Sequence, residues 1–245
     1  MSVRRLAPPE IQPRDFAFGA DNLVWAKKQI AKYPEGRQAS AIIPLLWRAQ
    51  EQAGGWLPEA AIRHVADFLG MAHIRALEVA TFYTMFNLAP VGKFHVQLCG
   101  TTPCRLRGAD ELEKICRARI GEQMEVTQDG KFSWVEVECL GACVNAPMAQ
   151  INVDYYEDLD ANSFNKILDA LAAGKKVKPG PQTDRQLSAP IGGPTTLLDG
   201  KSGNGRRSPQ AEPKDANAKK PGAAANFQSG APKPPAQDRE KPKPN

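Results

Sequence analysis

The sequence predicts an α+β chain: a small N-terminal helical bundle, then a small α/β layer, then a disordered Pro/Lys-rich C-terminal tail. Three observations carry this reading. Apolar residues recur at helical spacing in four short segments between residues 21 and 90. After Pro90-Val-Gly92 the pattern changes to period-two runs alternating with two helical segments. From about residue 174 core-forming side chains thin out, and twelve of the chain's 21 prolines fall there. Such a segment buries too little apolar surface to offset its ordering entropy.

In order, residues 1–20 hold Pro8, Pro9 and Pro13 with little periodicity and read as an extended arm. Asp21 or Asn22 caps a first helix reaching about Lys32, where Pro34 and Gly36 stop it. A second helix over 38–53 carries Ile42, Leu45, Leu46 and Ala49 on one stripe and ends at Gly54-Gly55. Pro44 fits it only within the first turn. The third has Pro58 near its start, then Ile62, Val65, Ala66 and Leu69, with Gly70 just past its end. The fourth covers 73–86, with Val79, Phe82 and Phe86 in register. Residues 21–90 are therefore expected to form the bundle, with most of their aromatics in its core.

Residues 94–98 alternate and read as a strand ending at Cys99. Residues 110–120 read as a helix with Leu112, Ile115 and Cys116 toward its buried side. A second strand, 132–138, ends at Cys139; a third spans 148–153; residues 155–158 read as a turn and 162–173 as a closing helix. Residues 91–174 thus make one α/β layer with its ligands on loops at a sheet edge. Residues 175–245 form the tail, in which Leu197-Leu198 is the pair suited to docking locally.

Four cysteines arrive in two tight, Gly-containing loops: Cys99-x4-Cys104 and Cys139-x3-Cys143, with 34 residues between the pairs. Thiolates select zinc or an iron–sulfur centre over hard cations. Two such pairs supply the four ligands that a [2Fe–2S] cluster requires, and loop amides stabilise its negative charge. Structural zinc also takes four thiolates but usually draws them from pairs joined by a shorter span. A redox dithiol is disfavoured because no C-x-x-C is present. Cys116 reads as a small buried thiol. His95 could reach the second layer around the cysteines but is more naturally a packed strand residue, and His64 and His73 read as helix surface. The acidic pairs Glu136/Glu138 and Glu157/Asp158 read as solvated faces.

Composition excludes other classes. The net charge of +5 is uneven: residues 174–245 carry 14 basic and 6 acidic residues, and 1–173 carry 18 and 21. The basic surplus belongs to the tail, so no nucleic-acid partner is indicated. No apolar run is long enough to span a membrane. The N-terminus lacks the apolar stretch of a secretory signal, and five cysteines argue for reduced thiols over a disulfide framework. No G-x-G-x-x-G follows a strand, and Gly200-Lys-Ser202 imitates a P-loop end but has Thr195 where the first glycine belongs. A chain with one cluster and no nucleotide or flavin site carries electrons without a catalytic site of its own.

Several stretches together resemble one family: Trp56-Leu-Pro58, residues 79–86, Pro90-Val-Gly92, both cysteine pairs, Ala146-Pro147 and Tyr155-Tyr-Glu-Asp158. This is the 24-kDa-type subunit of proton-pumping NADH:quinone oxidoreductase, respiratory complex I; the resemblance covers about residues 20–175. It implies a thioredoxin-like [2Fe–2S] domain after the helical bundle, with Cys99, Cys104, Cys139 and Cys143 as cluster ligands. It also implies FMN and NADH on a partner flavoprotein subunit, contact with the iron–sulfur subunit of the peripheral arm, and a place on the cytoplasmic side of a bacterial inner membrane. Related subunits serve NAD-linked hydrogenases and formate dehydrogenases, and a zinc-stabilised assembly module is the reading from a different class.

Overall fold

Helix breakers set the lengths of the first helices. The structure, a computed structural model, describes residues 4–190. Helix α1 spans Ala20–Ile30 and α2 spans Ile42–Gln52, preceded by a 3-10 turn over Gln38–Ala41. Pro44 therefore lies in the first turn of α2, where its missing N–H is harmless. Helix α3 spans Glu59–Phe68, and Gly70 follows it with φ of +63°, the left-handed conformation that ends many helices. Helix α4 spans His73–Phe82. Leu45, Leu46, Leu57, Ile62 and Val65 are fully buried and form the centre of one apolar core.

The fourth helix ends four residues earlier than expected. Tyr83 is extended, and the Arg4 guanidinium donates to the carbonyls of Tyr83 at 2.7 Å, Thr81 at 3.3 Å and Phe86. Those oxygens lack helical partners, and the arm supplies them. Phe86 consequently enters the core from an irregular segment, whereas Phe82, expected in the apolar register, is 76% exposed. His64 is not simple helix surface either. It sits half-buried against Phe16, Phe18 and Phe68.

Strand β1 covers Phe94–Cys99 and is followed by a five-residue helix α5, Thr102–Leu106, and by α6, Ala109–Arg119. Strand β2, Phe132–Val137, pairs with β1 in parallel, Phe94 opposite Phe132. Strands β3, Ala149–Ile151, and β4, Asp154–Glu157, form a hairpin, and α7 spans Ala161–Ala172. A two-residue strand β5, Gly180–Pro181, completes a sheet ordered β2-β1-β3-β4-β5. Trp134, Phe164, Leu112, Leu98 and Leu168 fill a second core between the sheet, α6 and α7.

Two expectations are corrected here. Residues 155–158 were expected as a turn, but Tyr155 and Tyr156 lie in β4, where Tyr156 pairs with Ala149 and is buried. The reversal precedes them, with Asn152 at φ of +55°. Structure also continues past the expected tail boundary at 174: Val177 packs on the second core and β5 pairs with β4. The expectations for residues 191–245, including Leu197-Leu198 and Gly200-Lys-Ser202, lie outside the described residues. Among the described residues no helix is long and apolar enough to cross a membrane.

His95 proves to be a packed strand residue. It is buried on β1, with Nδ1 2.8 Å from Ser133 Oγ, and that oxygen also accepts from Gly92 N–H at 2.8 Å. Burial lowers its pKa from 6.5 to about 4. The unfolded chain therefore binds the proton more tightly, and stability contributed by neutral His95 is present above pH 6.5 and lost as pH falls toward 4. By linkage the loss between pH 7 and pH 5 should be about 2 kcal/mol. Urea denaturation of wild type and His95→Gln at both pH values should show that component in wild type alone; equal pH slopes would refute it.

Candidate metal centre

Parallel pairing brings the two cysteine-bearing loops to one edge of the sheet. Two parallel strands end on the same side of a sheet, so the loops that follow them share one edge. In β1 and β2 the register places Cys99 opposite Val137, two residues before Cys139. The segment leading into β3 reaches the same edge, where Cys99 N–H donates to Met148 O at 3.3 Å. Cys104 is not on a loop, as expected, but on α5, with Pro103 in its first turn. Cys143 opens a 3-10 turn, Cys143–Asn145.

The two pairs differ in exposure. Cys99 and Cys104 are buried with Ala109, Ala146 and Met148, whereas Cys139 and Cys143 are exposed. All are free thiols; Cys139 and Cys143 Sγ stand 3.3 Å apart, well beyond a disulfide bond. Thr101 Oγ1 lies 3.3 Å from Cys99 Sγ, and Gly141, at φ of +82°, turns its N–H toward Cys139 Sγ at 3.4 Å.

These environments polarise each pair. Burial raises the Cys99 thiol, but hydrogen bonds led by the Thr101 side chain outweigh it and leave the pKa below its ordinary value. Cys104 is pushed up to about 12, chiefly by burial. The Gly141 N–H lowers Cys139, and the hydrogen bond with Cys139 raises Cys143. Negative charge at Cys99 acts to raise the pKa of each of the other three. Among the described residues, no three His, Cys, Asp or Glu side chains form a ready-made site for a metal ion.

A profile of the thioredoxin-like [2Fe-2S] ferredoxins matches residues 26–172, more than half of the chain. The chain belongs to that family. It is 60% identical over 201 residues to an E-type NADH-quinone oxidoreductase subunit of Rhizobium meliloti (strain 1021), a match covering 80% of this chain and 73% of the relative. Identity to the E-type subunit of the same enzyme from Rickettsia conorii (strain ATCC VR-613 / Malish 7) is 57% over 158 residues, covering 64% of this chain and 95% of the relative. The mitochondrial NADH dehydrogenase [ubiquinone] flavoprotein 2 of Dictyostelium discoideum is 51% identical over 185 residues, covering 75% of each chain.

In this thioredoxin-like [2Fe-2S] ferredoxin the donor chemistry suits an iron–sulfur centre: soft sulfurs, backbone and hydroxyl donors aimed at them, one wall buried and one open. Cys116 belongs elsewhere. It is buried on α6 in the second core, and burial pushes its thiol up to about 12. Side chains also brace the loop backbones. Arg105 Nε donates to Gly100 O at 2.9 Å while its terminal nitrogen binds Glu136 at 2.8 Å, and Tyr155 OH donates to Leu140 O at 3.0 Å. Glu136 is thus engaged, and Asp158, expected on a solvated face, is buried in an ion pair with Arg185. No spacing marked Arg105 or Arg185 in advance; each meets acidic partners only through the fold.

Proposed function

We propose that this chain is the electron-transfer subunit of a proton-pumping NADH:quinone oxidoreductase, holding one [2Fe–2S] cluster on Cys99, Cys104, Cys139 and Cys143. The observation that supports the reading is that the parallel β1–β2 pair directs the loops bearing the two cysteine pairs toward one sheet edge. The relatives named as NADH-quinone oxidoreductase subunits support the parent complex. When bound, such a cluster accepts and returns one electron at a time. The chain's own residues do the rest: the buried pair excludes water on one side, the Thr101 hydroxyl and Gly141 amide stabilise negative charge on sulfur, and the exposed pair faces outward to where a partner docks.

FMN and NADH belong, in this reading, to a flavoprotein partner, and the iron–sulfur subunit of the peripheral arm is the second neighbour. The assembly lies on the cytoplasmic side of a bacterial inner membrane. Anaerobically purified chain should contain iron and acid-labile sulfide in equal amounts. After dithionite reduction it should give a low-temperature EPR signal of a one-electron-reduced binuclear centre. It should also co-purify with an FMN-containing protein. A colourless chain with stoichiometric zinc would exclude this function and favour the assembly module.

A further inference from the structure

Beyond the closing helix, the chain doubles back over the turn that carries Cys143. After β5, Gln182 N–H donates to Glu157 O at 2.9 Å and Thr183 Oγ1 donates to Asp158 Oδ2 at 3.1 Å. Arg185 then inserts its guanidinium beside Asp158, 2.7 Å from Oδ1, with both side chains nearly inaccessible to solvent, 6% and 4% exposed. The other terminal nitrogen donates to Val144 O at 3.2 Å and Asn145 Oδ1 at 3.0 Å.

Asn145, fully buried, is the hub of this arrangement. Its amide nitrogen donates to the Glu157 carboxylate and to Leu187 O at 3.0 Å, while its backbone carbonyl accepts from Asp158 N–H at 2.7 Å. Three separate segments are thereby tied: the Cys143 turn, the end of β4 and residues 180–187. The outer cysteines and Val144 are exposed and make little contact with the core, so this tie is the turn's anchor on its outer side. A forked cation can meet a carboxylate with one terminal nitrogen and two amide-type oxygens with the other; a lysine ammonium is a single point charge.

We infer that residues 180–187 are a strap, and that Arg185 is a positioning residue that holds the Cys143 turn in the shape needed to bind iron. The inference rests on the reading of Cys143 as a ligand. In the full-length metal-free chain, Arg185→Gln should speed hydrogen exchange of the Asn145 and Ala146 amides about tenfold, with the β1 amides unchanged. In the iron-loaded chain the same variant should lose iron to a chelator about tenfold faster. Arg185→Lys, which keeps the charge without the fork, should fall between the two. Turn and strand amides accelerating together would mean loss of general stability and would overturn the inference, as would Arg185→Lys matching wild type. Should Arg185→Gln fail to fold, the lysine variant decides by the same comparison. If wild type takes up no iron, the ligand reading falls, while the exchange ratios still uphold or overturn the strap.

Discussion

Cys139→Ser should strip the chain of most of its iron, whereas Cys116→Ser should leave iron content and the reduced EPR signal intact. A serine hydroxyl is a harder donor with a much higher pKa, and it would replace one of the four proposed thiolate ligands. Cys139 is exposed, so the change leaves no cavity and the metal-free fold should melt at the wild-type temperature. Cys116 provides the opposite control. It is fully buried among apolar neighbours on α6, so a hydroxyl there should cost about 1–3 kcal/mol of stability without touching the cluster. Iron analysis and urea denaturation of the two variants separate these effects. Equal iron in wild type and Cys139→Ser would remove Cys139 from the ligand set.

Gly92→Ala should destabilise the chain by about 3 kcal/mol, at the upper end of overpacking costs. A Cβ at this position would lie 2.4 Å from the carbonyl carbon of Phe132 and 2.7 Å from Phe132 Cα and Ser133 N. All three are backbone atoms, so no side-chain rotation relieves the overlap. The chain must instead move where the β1–β2 pairing starts, and the bond from Gly92 N–H to Ser133 Oγ is stretched. That pairing carries Cys99 and Cys139 to a common edge, so iron loading should fall along with stability. Gly130→Ala is the comparison: φ there is +69°, but nothing lies within 4 Å, and the cost should be only about 1–2 kcal/mol of backbone strain. Thermal and urea unfolding of both variants measures the contrast, and equal losses would show that the close approach is unimportant.

Much of this architecture was legible in advance because it depends on near neighbours. The stripe Ile42, Leu45, Leu46, Ala49 and the glycines at 54–55 and 70 mark helices through interactions only a few residues apart. Helix α5 leaves no sequence signature because five residues hold too little of a helical period. Strand β4 reads locally as a turn because Asp154 and Asp158 flank only two tyrosines and a glutamate, and its pairing partners Ala149 and Gln150 lie in the neighbouring strand. Phe82 had the right spacing for the core but falls where Arg4 and the extended Tyr83 end the helix. The strap hid behind proline-rich composition, since Arg185 and Asp158 are 27 residues apart and no periodicity joins them.

The linear order of residues was enough to decide where the first three helices lie, the parallel-strand candidates and the identity of the soft sulfur donors, because propensity, breakers and ligand chemistry are properties of short segments. Only the folded chain decided that Cys99 stands opposite Val137, that Cys104 is held on a helix, and that a guanidinium from beyond residue 174 braces the Cys143 turn. Those outcomes depend on closing long loops and burying two cores together, a free energy shared by residues far apart in sequence.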